Sequence, residues 1–399
     1  MSNDISKNEN TVRFFVTGDN HFCKKYDGRL SEAREKLHHF RLESFRRMVD
    51  KANEECDFFI VTGDLFDRAE KIDPRDVKDI VGILSSFKGT VIVIPGNHDY
   101  YDEDDLGDSV WKTFMSGLPD NIILANEFKP LRMGSCGNNK VVFYPAYCQI
   151  DQSKTNNLGW IKESEIDLKD TINIGIAHGT IEHVSCDSEG VYFYMFEKEL
   201  KDIPVDAWFI GHAHIQVPKI KNYDEYTDPR ENVKIFNAGT HQQIDISMKG
   251  GDSLIVEIEK SGDKASVRAK KWHSGLVSFY DLKVDVDATG ENALKEAIDK
   301  KLAGLDKEHS VIRLNFNGTV ESSEYADRAA IFDKATEGFL FVYPPVWSDL
   351  LEKITSEKLD QFNDTGFASK FLDMLADDPN KEAELNMAYH LIKSIQKDN

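Results

Sequence analysis

Seven side chains of metal-ligand type stand where apolar runs stop. Asp19 and His21 follow VRFFVTG, Asp64 follows FFIVTG, and Asn97 follows VIVIPG. His178 ends INIGIAH, and His212 and His214 follow WFIG. Two more polar residues, His98 and Asp99, come directly after Asn97. Carboxylate, imidazole and amide oxygen without thiolate make a donor set for divalent ions such as Mn, Fe or Zn. In Asp-x-His and His-x-His both ligands lie on one side of an extended backbone, because strand side chains repeat every second residue. Seven donors exceed one tetrahedral ion and suit two ions sharing a carboxylate, roughly 3.5–4 Å apart. Such a pair makes a bridging water acidic near neutral pH, and a neighbouring histidine serves a leaving oxygen. One histidine after a strand carries little weight, since GD and GN are ordinary turn signals. The weight lies in five such ends in one chain.

For these ends to meet, the runs before them must be strands of one layered domain. Short apolar runs closing in Gly or Pro suit strands covered on both faces. Ligand sites of open α/β sheets form outside the carboxyl ends of the strands. The pattern predicts strands over 13–17, 58–62, 90–94, 121–125, 141–144, 173–177, 207–210, 233–237, 253–259 and 266–271. It predicts helices over 34–55, 74–87, 105–115 and 195–201, giving an α/β layered domain over 1–274. Strands over 279–286, 310–318 and 338–344 with a helix over 291–305 predict a small α+β domain over 275–345. Pro344-Pro345 breaks the chain. Amphipathic stretches over 346–358, 366–375 and 381–397 then predict a C-terminal helical segment, 346–399.

The 399 residues, 40% hydrophobic, are enough for two or more domains. No run of 18 apolar residues occurs, so no membrane span is expected. The polar start MSNDISKNENTVRFF lacks the apolar stretch of a secretory signal. Cys23, Cys56, Cys136, Cys148 and Cys186 are odd in number and form no CxxC. They predict reduced thiols in a cytoplasm rather than disulfides or a thiolate metal site. The net charge of −21 runs against a broad nucleic-acid-binding face. Residues 24–51 oppose that trend, with nine Lys/Arg against five Asp/Glu. They read either as a solvated helix face with i,i+4 pairs or as a local phosphate-binding patch. His38, His39, His273, His309 and His390 lack a strand-end context and read as structural or surface residues. His183 and His241 stay candidates for a pocket.

The blocks VTGDNHF, VTGDLFDR, IPGNHDY, GIAHGT and FIGHAH resemble, in this order, the pattern of the calcineurin-like metallophosphoesterases. That pattern is D-x-H, G-D-x-x-D, G-N-H-[DE], a lone His and G-H-x-H. Within the superfamily the chain most resembles the SbcD-type DNA repair nucleases. The basic stretch running into ANEECDFFIVTGDLFD carries that likeness, as do GHAHIQVP and FNAGTHQQIDISMKGGDSLIVEIE, and it covers roughly the first 345 residues. The resemblance implies an α/β/β/α sandwich with a small α+β capping domain and C-terminal helices. It implies one ion on Asp19, His21 and His214, another on Asn97, His178 and His212, and Asp64 bridging them. It casts His98 as general acid or phosphate contact and Asp99 as the residue that orients it. It implies DNA as substrate, cut as a 3′-to-5′ exonuclease with endonuclease action as a further expectation. Manganese is the implied activator, with Fe²⁺ or Zn²⁺ as alternatives. The implied partners are a coiled-coil ABC-type ATPase of the SbcC class, docked on the C-terminal helices, and a second copy of the chain. Two other readings compete: a phosphoesterase of nucleotides, cyclic nucleotides or phosphoproteins, and a catalytically silent binding subunit. The chain departs from the family at Phe22-Cys23, after His21, and in THQQID, which lacks the usual Arg. At Asp67 some relatives carry a second histidine, so no role is assigned to it.

Overall fold

Three of the runs before the candidate residues, β2 (Phe58–Val61), β7 (Thr171–His178) and β8 (Ala207–Gly211), are buried at every position. Such strands need cover on both faces. Phe58 and Phe59 show how they get it. The Phe58 ring lies 5.3 Å from Phe143 of a second sheet, and the Phe59 ring lies 5.8 Å from Phe45 of a helix. Neighbouring side chains of a strand point to opposite faces, so FFIV is apolar throughout. The structure, a computed structural model, describes residues 9–26, 28–70, 72–184, 187, 189–287, 290, 292–362 and 366–397. Asp27, Cys186 and Glu291 of the stretches read above lie outside the described residues. Clustering of contacts divides the chain into two units, Met1–Ser278 and Phe279–Asn399.

In the first unit β1 (Thr11–Thr17), α1 (Arg34–Glu55), β2, α2 (Pro74–Ser85), β3 (Thr90–Val93), α3 (Val110–Met115) and β4 (Ile122–Leu124) alternate. Then come β5 (Leu131–Cys136), β6 (Asn139–Ala146), α4 (Gly159–Lys162), β7, α5 (Glu197–Asp202), β8, β9 (Ile235–Phe236), β10 (Asp252–Ser261) and β11 (Lys264–His273). One sheet has the order β11-β10-β1-β2-β3-β4 and the other β5-β6-β7-β8-β9. β1 to β4 run parallel, as do β6 to β9, while β10, β11 and β5 extend the sheets antiparallel. Phe14 joins the sheets, 5.5 Å ring to ring from Phe209. Met48, Val49, Ile80 and Leu84 of α1 and α2 cover the first sheet. Ile161 of α4 and Leu200 of α5 pack with Trp208 on the second. This is the α/β/β/α sandwich. Helix α3 begins at Val110 rather than 105, because the Ser109 side chain caps it by accepting the Trp111 N–H.

The second unit holds β12 (Ser278–Val286), α6 (Ala293–Leu302), β13 (Ser310–Val320), α7 (Ser322–Ala335), β14 (Phe341–Val342), β15 (Val346–Glu352), α8 (Ser356–Leu359), α9 (Phe367–Ala376) and α10 (Glu382–Lys397). The helix expected over 346–358 is instead mostly strand. β15 pairs in parallel with Asn315–Val320 of β13, so the small sheet continues past the expected border at 345. VWSDLLE spaces its apolar residues as a helix would, but the edge of β13 beyond β14 offers unpaired backbone. Trp347 stacks on Phe316 at 4.3 Å, and Leu350 is buried. Helix α7 was not expected, since SSEYADRAAIFDKA has little apolar periodicity. Its buried Phe332 and Glu324, which accepts the Leu294 N–H, hold it in place. α9 and α10 share a core of Leu372, Leu375, Leu385 and Tyr389, while Phe367, Met374, Met387 and Leu391 stay exposed. No described helix is long and apolar enough to cross a membrane.

Candidate metal centre

The candidate residues all leave the carboxyl ends of parallel strands. β1, β2 and β3 deliver Asp19, His21, Asp64 and Asn97, while β7 and β8 deliver His178, His212 and His214. The turns are strained: Asp19, His21, Asp64, His212 and His214 have φ of 49, 45, 51, 105 and 54°. Left-handed backbone outside glycine costs of order 1–3 kcal/mol per residue and persists only when its surroundings enforce it. Here the Asp19 N–H donates to the Gly63 carbonyl at 3.1 Å, and the His21 N–H donates to the Asp64 carbonyl at 2.9 Å. Glycine permits the close approach. A Cβ on Gly96 would lie 2.2 Å from Asp64 Oδ1, and one on Gly63 would lie 2.3 Å from His178 Nδ1.

Asp64 sits at the middle. Its Oδ1 accepts the His98 backbone N–H at 2.8 Å, and its Oδ2 lies 3.3 Å from His178 Nε2 and 3.7 Å from His21 Nε2. On one side His21 Nε2 is 3.0 Å from His214 Nε2, which is 3.9 Å from Asp19 Oδ1. Ligand atoms of Asp19, His21, Asp64 and His214 all lie within 4.8 Å of one another. On the other side Asn97 Oδ1 is 3.0 Å from both His178 Nε2 and His212 Nδ1. The fold thus brings all seven residues together, as two groups joined by Asp64.

The atoms that meet there fit cations. The His178 Nδ1–H donates to the Thr62 carbonyl at 2.8 Å, and the His21 Nδ1–H donates to the Asp67 carboxylate at 3.1 Å. Those partners only accept, so Nε2 of each neutral ring is a bare lone pair. His178 Nε2 therefore faces two oxygens. Asp19 Oδ2 and Asp64 Oδ2 are buried with no hydrogen-bond partner among the described residues. Converging buried lone pairs are unfavourable unless a positive charge lies among them, and oxygen and imidazole donors without thiolate match a divalent metal. Burial drives His21 down, and His212 and His214 down to about 4, which keeps these rings neutral as ligands must be. Burial also works to lower His178, but the Asp64 carboxylate outweighs it and raises the ring to about 9. The buried carboxylates draw positive charge to that point.

His98 is exposed at the edge of this cluster, its ring 4.8 Å from that of His21. Its Nδ1–H donates to the Asp67 carbonyl at 3.3 Å. With Asn97 and Tyr192 it lines a cavity of about 550 Å³. The role expected for Asp99 is corrected. Its carboxylate accepts the Phe66 N–H at 2.9 Å and the Gly96 N–H at 2.6 Å, and its carbonyl accepts from Trp111 Nε1. Fully buried, Asp99 turns back onto backbone and ties the loops after β2 and β3 together. The contact that holds the His98 ring comes from Asp67. Burial pushes the Asp99 carboxyl up to about 7, and Asp64 adds to this while the two N–H donors oppose it.

Other residues sort out in the same way. His241 is buried in the scaffold: its Nδ1 accepts from Asn20 Nδ2 at 3.0 Å, and its Nε2 lies 3.4 Å from the Arg41 carbonyl. His183 is exposed and lines a separate cavity with Glu182 and Val217. Tyr101 packs against Tyr147, while Tyr100 lines the cavity beside His98. Two contributors were given no role by the sequence reading. Asp67 buttresses His21, and the second acidic residue of G-D-x-x-D was its signal. Tyr192, whose ring lies 5.0 Å from that of His212, follows no strand and gave no signal.

The calcineurin-like phosphoesterase family matches residues 12–216, just over half of the chain. No curated protein matches it. Among solved structures it is similar to GAP50, the anchor in the inner membrane complex of Plasmodium, with 14% identity and a TM-score of 0.38 over 66% of this chain and 85% of that one. It is also similar to a hypothetical protein from Thermus thermophilus, with 11% identity and a TM-score of 0.34 over 66% and 98%. A third is the purple acid phosphatase PPD1 from yellow lupin seeds, with 13% identity and a TM-score of 0.36 over 66% and 52%.

Proposed function

Since the chain belongs to the calcineurin-like phosphoesterase family, we propose that it is a two-metal phosphodiesterase acting as a DNA nuclease. It cuts 3′-to-5′ from ends, and internally as well, in break processing with an SbcC-like coiled-coil ABC-type ATPase. The observation that carries the reading is the convergence of seven donors under an exposed His98 that opens on a cavity. The DNA and ATPase parts rest on the sequence likeness to SbcD-type nucleases. The exposed Phe367, Met374, Met387 and Leu391 add support for a docking helix pair. A homodimer is proposed on the likeness alone.

Asp19, His21 and His214 would hold one ion and Asn97, His178 and His212 the other, with Asp64 between them. When bound, two divalent ions, Mn²⁺ first and Fe²⁺ or Zn²⁺ as alternatives, supply Lewis acidity toward phosphate oxygens and a water that ionises near neutral pH. The chain's own residues prepare the site. The Asp67 carboxylate and the Thr62 carbonyl keep His21 and His178 in the tautomer with Nε2 bare. The Asp67 carbonyl steadies His98, which in its protonated form gives a proton to the leaving ester oxygen. Asp99 fixes the loops that carry Asp64 and His98.

The test is hydrolysis of linear and hairpin DNA, bis-p-nitrophenyl phosphate and p-nitrophenyl phosphate across a metal panel. Mn²⁺-dependent degradation of DNA is expected. Cleavage of the small diester with DNA left intact would point to a nucleotide or cyclic-nucleotide phosphodiesterase. An absence of bound metal would revive the silent-subunit reading. For the partner, Met387→Glu with Leu391→Glu should abolish co-purification with the ATPase and leave small-diester hydrolysis unchanged.

A further inference from the structure

We infer that the groove at Tyr194 and Phe196 is a stacking platform for unpaired bases of a polynucleotide whose end lies in the metal centre. The inference rests on the nuclease reading and adds to it the state of the substrate, a single strand rather than a closed duplex. The platform comes from VYFYMFEKEL, in which aromatic residues alternate. Phe193 and Met195 turn inward, 3% and 1% exposed, while Tyr194 and Phe196 line a cavity of about 1030 Å³. Phe196 is 54% exposed, and its ring meets that of Tyr194 edge-on at 5.2 Å. The segment is tied down on both sides. The Phe193 N–H donates to the Ser153 carbonyl at 2.9 Å, and the Met195 N–H donates to the Thr180 carbonyl at 2.8 Å. Asn156 Nδ2 donates to the Tyr194 carbonyl at 2.9 Å. An exposed aromatic on fixed backbone offers a flat apolar face at little cost in ordering.

The groove continues the candidate site. Gln152 and Tyr192 line the cavity beside His98, and Ser153 pairs with Tyr192. Two residues farther along the two segments, Lys154 and Tyr194 already line the next cavity. The four residues from Tyr192 to Phe196 span at most roughly 14 Å, so a strand leaving the ions past Tyr192 meets the platform within a few nucleotides. The charges agree with that occupant. Of the acids in this lining, Glu199 is taken by Lys162 and Asn156, and Glu182 accepts the Glu197 N–H at 3.0 Å. Lys154 and Lys198 are exposed and pair with no acid among the described residues. They outnumber Asp202, the acid that remains. In a chain of net charge −21, two unspent cations beside two aromatic faces suit phosphates running under stacked bases. A base inside a duplex has both faces covered by its neighbours, so the platform takes a strand whose bases are unpaired.

The experiment measures kcat and KM with Mn²⁺ for wild type, Phe196→Ala, Phe196→Tyr and the double variant Lys154→Gln/Lys198→Gln. The substrates are a single-stranded oligonucleotide, the blunt duplex of the same sequence and bis-p-nitrophenyl phosphate, which has no chain to reach the groove. Phe196→Ala should raise the single-strand KM roughly 5- to 150-fold, the scale of one base stacked on an aromatic ring. The rise on the blunt duplex should be smaller. Phe196→Tyr keeps the face and should stay within about twofold of wild type. Both constants on the small diester should stay within about twofold in every variant, which also reports a folded, metal-loaded site. In the lysine variant the slope of log KM against log salt on the single strand should fall by about 1.4, two phosphate contacts at about 0.7 each. Suppose the wild type cleaves both the oligonucleotide and the small diester. An unchanged single-strand KM in Phe196→Ala, an equal rise on the duplex, or an unchanged slope in the lysine variant then overturns this inference alone. An equal loss on the oligonucleotide and the small diester in Phe196→Ala also overturns it, because Phe196 would then support the fold. A wild-type chain that cleaves the small diester and leaves the oligonucleotide intact overturns the nuclease reading and this inference together.

Discussion

The carboxyl edge of the two sheets and the basic run of residues 24–51 both stand out by composition, and the fold treats them oppositely. At the edge it gathers polar atoms and leaves several without a hydrogen-bond partner among the described residues. In the basic run six of the nine cations are engaged by neighbouring groups of the chain. Arg41, 1% exposed, donates from Nη1 to the Asn20 carbonyl at 2.7 Å and from Nη2 to Tyr26 Oη at 3.0 Å. Arg47 donates to the Ser274 carbonyl and lies over Trp272. Lys24 faces Asp67, Arg46 pairs with Glu43, and Lys51 pairs with Glu54 and Glu55. Polar groups that the fold positions but does not satisfy are available for ligands. Those it satisfies are scaffold. The two regions are still joined, because Asn20, held by Arg41 and His241, sits between Asp19 and His21.

The contrast can be broken or sharpened by substitution, beginning at the edge. Asp64→Ala removes the group common to both donor sets. Its rate on bis-p-nitrophenyl phosphate should fall by more than the roughly 100-fold that loss of a ligand's supporting contact costs, and elemental analysis should find less bound metal. His98→Asn should cost roughly 10²–10⁴-fold in kcat while metal content stays at the wild-type level. An unchanged rate would remove His98 from the chemistry. Asp67→Asn weakens the acceptor for His21 Nδ1–H and should reduce Mn²⁺ affinity roughly 10- to 100-fold by titration. In the basic run, Arg41→Met orphans the Asn20 carbonyl and should lower unfolding free energy by about 2–4 kcal/mol in a denaturant melt. Arg46→Ala, at a side chain 49% exposed, should move stability by no more than about 0.5 kcal/mol and leave DNA affinity unchanged. A weaker salt dependence of DNA binding in that variant would instead identify a phosphate contact, and the basic run would regain a functional part.

Much of the site was legible because its signals are local. GD, GN and GH after an apolar run mark where a strand ends and which side chain stands there, and the recurrence of that signal at five strand ends is what singled out Asp19, Asp64, Asn97 and His212. What misread was decided by distant atoms. VWSDLLE at 346–352 carries helical spacing and became a strand because β13 had backbone to pair. Asp99 follows His98 in sequence, yet its carboxylate is claimed by the N–H groups of Phe66 and Gly96. His241 had the look of a pocket residue until Asn20 and Arg41 closed around it.

The sequence by itself determined the kinds of donor, their order and the strands that end at them, since each depends on residue type and short spacing. The tertiary structure alone decided that Asp64 lies between two groups and that Asp67 and Thr62 set the tautomers of His21 and His178. Each of those facts depends on which atoms of remote segments come within hydrogen-bond reach. That is settled by how the two sheets pack and by how tightly Gly63 and Gly96 let their loops approach.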